Sequence, residues 1–128
     1  MADTVTSKVR ETADRYTVHL TCVSDGTGET SVLKVDKSAI LDASGEEPPL
    51  LRIASVRWAI QGFTRIKLST DHTTDDTTLV LNGNGYANWE HLGGLFDANS
   101  AGGTGDLLLT STGGVSGSSY DIDIEVLK

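Results

Sequence analysis

YDIDIEVLK, residues 120–128, decides the fold class. Its apolar residues Tyr120, Ile122, Ile124 and Val126 recur at every second position, and Asp121, Asp123 and Glu125 fill the gaps. Successive side chains of a strand point to opposite faces, so this alternation predicts a half-buried β-strand with its acids in water. YTVHLTCV, residues 16–23, repeats the pattern with β-branched residues and places Tyr16, Val18, Leu20 and Cys22 on one face. Cys22 is the single cysteine of the chain; it forms no intramolecular disulfide and reads as a small core hydrophobe.

Working outward, SVLKVDK (31–37), TRIKLST (64–70), Thr77 to Leu81 and DLLLTST (106–112) read as further strands. Ser24 to Glu29 has the turn chemistry to join the strands at 16–23 and 31–37 as a hairpin. Asp42 to Pro49 is a polar loop, because Pro48-Pro49 cannot sit in a central strand. In LRIASVRWAIQGF, residues 51–63, Leu51 and Ile53 keep one phase while Val56, Trp58 and Ile60 keep the other. A one-residue insertion swaps strand faces, so a bulge or bend is expected near Ala54-Ser55, with Trp58 in the core. A helix over 50–60 competes with that reading, but Gly62 and the strand pattern that follows favour β.

About seven or eight short strands at this spacing predict one all-β domain over residues 15–128, a β-sandwich or a jelly-roll-like fold. Residues 1–14 are polar and unpatterned and read as a flexible N-terminal arm. Residues 113–119, GGVSGSS, read as a turn.

The stretch GNGYANWEHLGGLFDANSAGGTG, residues 83–105, holds half of the chain's 14 glycines. Glycine and asparagine at this density favour turns, so a long loop is expected. Tyr86, Trp89, Leu92, Leu95 and Phe96 make it too apolar for a plain linker. These side chains either cap their own sandwich or cross to a partner. Tyr86, Trp89, Leu95 and Phe96 in the loop, with Val5 and Val9 in the arm, are the candidate partner-binding residues.

The formal net charge of −8 argues against a nucleic-acid binder, which needs a concentrated basic face. No apolar run approaches the roughly 18 residues of a membrane span, and no signal-peptide pattern opens the chain, so a soluble, unsecreted protein without membrane contact is expected. His19, His72 and His91 lack metal-site spacing, and His19 reads as an outward strand residue. There is no GxSxG elbow, no dinucleotide fingerprint in Gly83-Asn84-Gly85 and no P-loop lysine after Gly102-Gly103. Asp71, Asp75 and Asp76 read as a solvated turn, since the calcium-loop spacing and its central glycine are missing. The expectation is a protein that is not an enzyme and needs no cofactor or metal.

Several phrases occur together: DGTGE at 25–29, KVDKS at 34–38, the strand with Trp58 and Gln61-Gly62, DHTTDD at 71–76, GNGY at 83–86, GGL at 93–95 and SAGGTGDLLLT at 100–110. In this order they resemble the small virion structural proteins of tailed bacteriophages, of the head decoration or cement type. The resemblance implies a β-rich protein bound in many copies to the outer surface of the capsid, often as a homotrimer, with the major capsid protein as partner. It implies residence in the host cytoplasm before assembly, and it assigns no functional residues. On that reading the arm adds to a neighbour's sheet edge and the aromatic loop fills a crevice. Two rivals remain: a tail or baseplate component whose receptor-binding tip uses Tyr86, Trp89 and Asp97 on a sugar, and a β-sandwich enzyme or metal-dependent lectin using the turn from Asp71 to Asp76.

Overall fold

The structure is a computed structural model that describes residues 4–12, 15–41, 45–46, 51–71, 76–95 and 105–127. The alternating segment forms the centre of the molecule. It is the end of β9 (Ser116–Leu127), hydrogen-bonded on one side to β2 (Arg15–Asp25) and on the other to β4 (Arg52–Gln61), both antiparallel. Because opposed residues share a face, three inward rows form across these strands: Val18–Ile124–Val56, Leu20–Ile122–Trp58 and Cys22–Tyr120–Ile60. All except the partly buried Trp58 lie in the core. Each aliphatic side chain fully buried there contributes about 1.5–3 kcal/mol.

Outside this trio, β1 (Thr4–Glu11) extends the sheet beyond β2, and β7 (Asn84–Asn88) extends it beyond β4, giving the order β1-β2-β9-β4-β7. The second sheet has the order β3-β8-β5-β6, from β3 (Val32–Val35), β8 (Leu107–Thr112), β5 (Arg65–Thr70) and β6 (Asp76–Leu81). Its Val35, Leu107, Leu109, Ile66, Leu68 and Leu81 face the first sheet and are fully buried. The result is an antiparallel β-sandwich, and among the described residues neither sheet closes into a barrel. No helix among the described residues is long and apolar enough to cross a membrane.

The bulge expected near Ala54-Ser55 is present: Ile53 opposes Val126 and Ser55 opposes Glu125, leaving Ala54 as the extra residue. It puts Ile53 and Val56, out of phase in the sequence, on the same buried face. Cys22 is buried and reduced, and the His19 ring lies on the outward face.

Four expectations are corrected. Residues 4–11 are not a free arm, since β1 pairs residue for residue with β2 from Thr4↔Val23 to Glu11↔Tyr16. Described side chains of this strand are exposed on both faces, and such a strand carries no apolar alternation to read. β2 and β3 are not a hairpin, because they lie in different sheets. The turn between them crosses the sandwich: Ser24 and Asp25 accept from the N–H groups of Gly26 and Thr27, and Glu29 docks on Ser111 of β8, its N–H donating to the Ser111 hydroxyl and its carbonyl accepting the Ser111 N–H. The glycine-rich stretch is not a loop throughout, since it contains β7 and a 3-10 turn at Glu90–Leu92. Finally, Ser116 to Ser119 belong to β9 rather than to a turn, and with β1 and β7 the strands among the described residues number nine.

Candidate functional site

The corner where β7 leaves the sheet is built on the β4 bulge. The carbonyl of Ala54, the bulged residue, accepts the Trp89 N–H at 2.7 Å, and Ile53 exchanges two backbone bonds of 2.8 Å with Leu95. Trp89 and Leu95 thereby pack, partly buried, against the core of their own chain. Gly85 makes the approach possible on the inner face, for a Cβ there would lie 2.5 Å from Cζ2 of Trp58. The Trp58 indole instead lies against the strand and donates to the Asn82 carbonyl at 3.0 Å. Gly94 closes the corner with φ +98, and a Cβ at that position would meet the Arg52 Cβ at 2.9 Å.

Tyr86 projects from the opposite face of β7, 62% exposed, and its hydroxyl accepts from the Asn88 side-chain amide at 3.0 Å. Asn88 also accepts the Glu90 N–H at 2.8 Å, which starts the 3-10 turn that leaves Leu92 69% exposed. Glu90 is ion-paired to Arg15 of β2, which also donates to Glu125 of β9 at 2.8 Å. The corner is therefore tied to three strands.

The six residues expected to bind a partner are not brought together. Tyr86, Trp89 and Leu95 occupy the β7 corner, but Trp89 and Leu95 serve their own core. Phe96 lies outside the described residues, as do residues 72–75 of the acidic turn. Val5 and Val9 are on β1, at the other edge of the same sheet, four strand spacings or roughly 19 Å away.

Two charged clusters escaped the sequence reading. On the outward face, His19 opposes Asp123, Asp123 opposes Arg57, and Arg57 opposes Tyr86, while Lys8 of β1 opposes His19. His19 Nε2 lies 2.7 Å from an Asp121 carboxylate oxygen and 3.9 Å from one of Asp123. Imidazole and two carboxylates within 4.8 Å of one another are ligand types that could hold a divalent cation. Arg57, however, is ion-paired to Asp123, and this bond and the Asp123 charge raise the Arg57 pKa. With Lys8 across from His19 and Arg57 paired to Asp123, basic groups stand on both sides of the carboxylates, and the cluster reads as an ion-pair ladder across strands.

The second cluster is buried. Glu29, in the crossing turn, accepts a hydrogen bond from Lys34 Nζ of β3 at 2.6 Å through one oxygen and from the Tyr120 hydroxyl of β9 through the other. The side chains of Lys34 and Glu29 are only 4% and 6% exposed. Burial, and next the carboxylate of Glu29, push the Tyr120 pKa far above the ordinary tyrosine range. The cluster joins the two sheets through bonds that leave both carboxylate oxygens paired, and it is closed to substrate.

The chain matches no protein-family model, no curated protein and no solved structure.

Proposed function

We propose that this chain is a bacteriophage capsid decoration protein that binds the outer surface of the head and bridges major capsid subunits. The reading rests on the resemblance of its turn sequences to cement proteins, and one structural observation carries it further. The β7 corner presents Tyr86 and Leu92, 62% and 69% exposed, on a base braced by Trp89, Leu95 and the Arg15–Glu90 pair. An exposed aromatic on a rigid base loses little entropy on docking, which is what an anchor residue needs. Repetition over the shell multiplies weak contacts by avidity, so each corner needs only modest affinity. The net charge of −8 keeps the chain from adhering to nucleic acid before assembly, in the host cytoplasm.

Binding to purified expanded capsids that lack the protein tests this. The chain is expected to saturate such capsids and to raise their rupture temperature. Truncating an anchor costs about 2–4 kcal/mol, so Tyr86→Ser with Leu92→Ser should weaken attachment by at least about thirtyfold while the fold is kept. Attachment to cell-surface glycan instead, lost in Tyr86→Ser, would replace the decoration reading with that of a tail tip.

A further inference from the structure

The edge of the first sheet opposite the β7 corner has features that the shell-binding reading does not use. Thr12 N–H donates to the Arg15 carbonyl at 2.9 Å, in the same register as the β1–β2 pairing. Antiparallel pairs alternate between those that exchange backbone bonds and those that do not. It follows that Arg10, Lys8 and Thr6 turn their backbone groups to β2, while Val9, Ser7 and Val5 turn theirs away from the sheet. Among the described residues no strand meets them. The edge is eight residues long, against four, five and six for β3, β7 and β6, the other edge strands. It contains no proline and its register is unbroken, so two common devices that blunt an edge are missing from it.

The inward face of the same strand is also uncovered. Val5, Ser7 and Val9 are in register with Cys22, Leu20 and Val18, which are buried. Yet Val5 and Val9 remain 37% and 49% exposed.

We infer that β1 is a self-association edge, at which two copies of the chain pair antiparallel about a two-fold axis through Ser7 and join two five-stranded sheets into one of ten strands. The sequence of β1 selects both occupant and register. Centred on Ser7, Val5 opposes Val9 of the second copy at both ends of the contact, and Thr6 opposes Lys8. The four valines then form one strip, and the outward-turned groups of Val5, Ser7 and Val9 exchange about six backbone hydrogen bonds. Centred one residue later, Lys8 opposes Lys8 of the second copy and Val5 meets Glu11. Centred one residue earlier, Val5 meets Ser7 and the apolar strip is lost. The paired sheets would carry their β7 corners at opposite ends, nine spacings or about 43 Å apart. The inference does not depend on what those corners bind.

Light scattering and sedimentation of the full chain over a range of concentrations test it. The expected species has twice the 13.5 kDa chain mass. Ser7→Pro removes an N–H that faces the second copy and not β2, and proline is tolerated at a strand edge. It should weaken the pair by about tenfold to a hundredfold, since a central exchange of two bonds is lost, and leave circular dichroism unchanged. Val9→Lys sets a cation in the strip and should act in the same direction, and it decides the matter if Ser7→Pro does not fold. A monomer at every concentration, a trimer, or a dimer that survives the folded variants overturns the inference. A monomer whose β1 becomes protected only on capsids also overturns it, by assigning the edge to the shell, and capsid binding by a monomer would leave the proposed function standing.

Discussion

The two charged clusters are made of similar groups and differ in their contact with water. Glu29, Lys34 and Tyr120 are sealed between the sheets, whereas His19, Asp121, Asp123 and Arg57 lie on the open face of one sheet. A buried pair has shed its hydration, so its members depend wholly on each other. An exposed pair exchanges one good partner for another, water, at little cost. The difference shows that proximity in the fold is a poor measure of an ion pair's worth: Glu29 matters because nothing can replace its partners.

Breaking the buried cluster should have the largest effect. Glu29→Ala strands the Lys34 ammonium without its carboxylate, and removing one partner of a buried pair costs about 3–5 kcal/mol, to be read from the urea midpoint. Glu29→Leu combined with Lys34→Met should recover most of that loss, because no uncompensated charge is left behind. A double variant as unstable as the single one would show that packing, not charge, sets the cost.

Tyr120→Phe is next. It takes one donor from Glu29 and should cost about 1–3 kcal/mol. It also has a signature in pH. The folded-state pKa of Tyr120 is raised, so above pH ~10 the unfolded chain loses this proton while the folded chain keeps it. Stability therefore falls with rising pH in that range, by about 1.4 kcal/mol per pH unit from this group. Denaturation at several alkaline pH values should show a shallower decline in Tyr120→Phe than in the parent.

The outward ladder should respond least. Asp123→Asn is expected to lower the melting temperature slightly at low salt and not measurably at high salt, since screening acts on exposed pairs. Zinc added to the parent should leave the melting temperature unmoved, because Arg57 and Lys8 flank the carboxylates and imidazole that would bind it. A zinc-dependent rise, abolished by His19→Ala, would erase the contrast by making the exposed cluster a site.

What could be read from sequence followed from burial on one face. β9 was legible because Ile122 and Ile124 sit in the core while Asp121 and Asp123 do not, and the β4 bulge because Ile53 and Val56 must share a face yet differ in phase. β1 was not, since a strand wet on both sides has no periodicity, and its order comes from the β2 ladder. β7 was hidden by Gly85, which reads as a turn residue but is there to admit Trp58. Of the candidate residues, the sequence marked Tyr86 and Trp89 alike, although one faces outward and the other is anchored on Ala54. The role of Glu29 could not be read from spacing, as its partners lie 5 and 91 residues away.

The place of β9 sets a schedule for synthesis. Among the described residues β2 and β4 have no bond to each other and meet only through this strand, which follows every other strand along the chain. Until residues 116–127 have left the ribosome, both strands wait with open edges and their valines and isoleucines in water. Folding rates fall as contacts lie further apart along the chain, and exposed strand edges invite aggregation in the interval. The nascent chain should accordingly be a client of chaperones until β9 emerges and then close its first sheet in a single step.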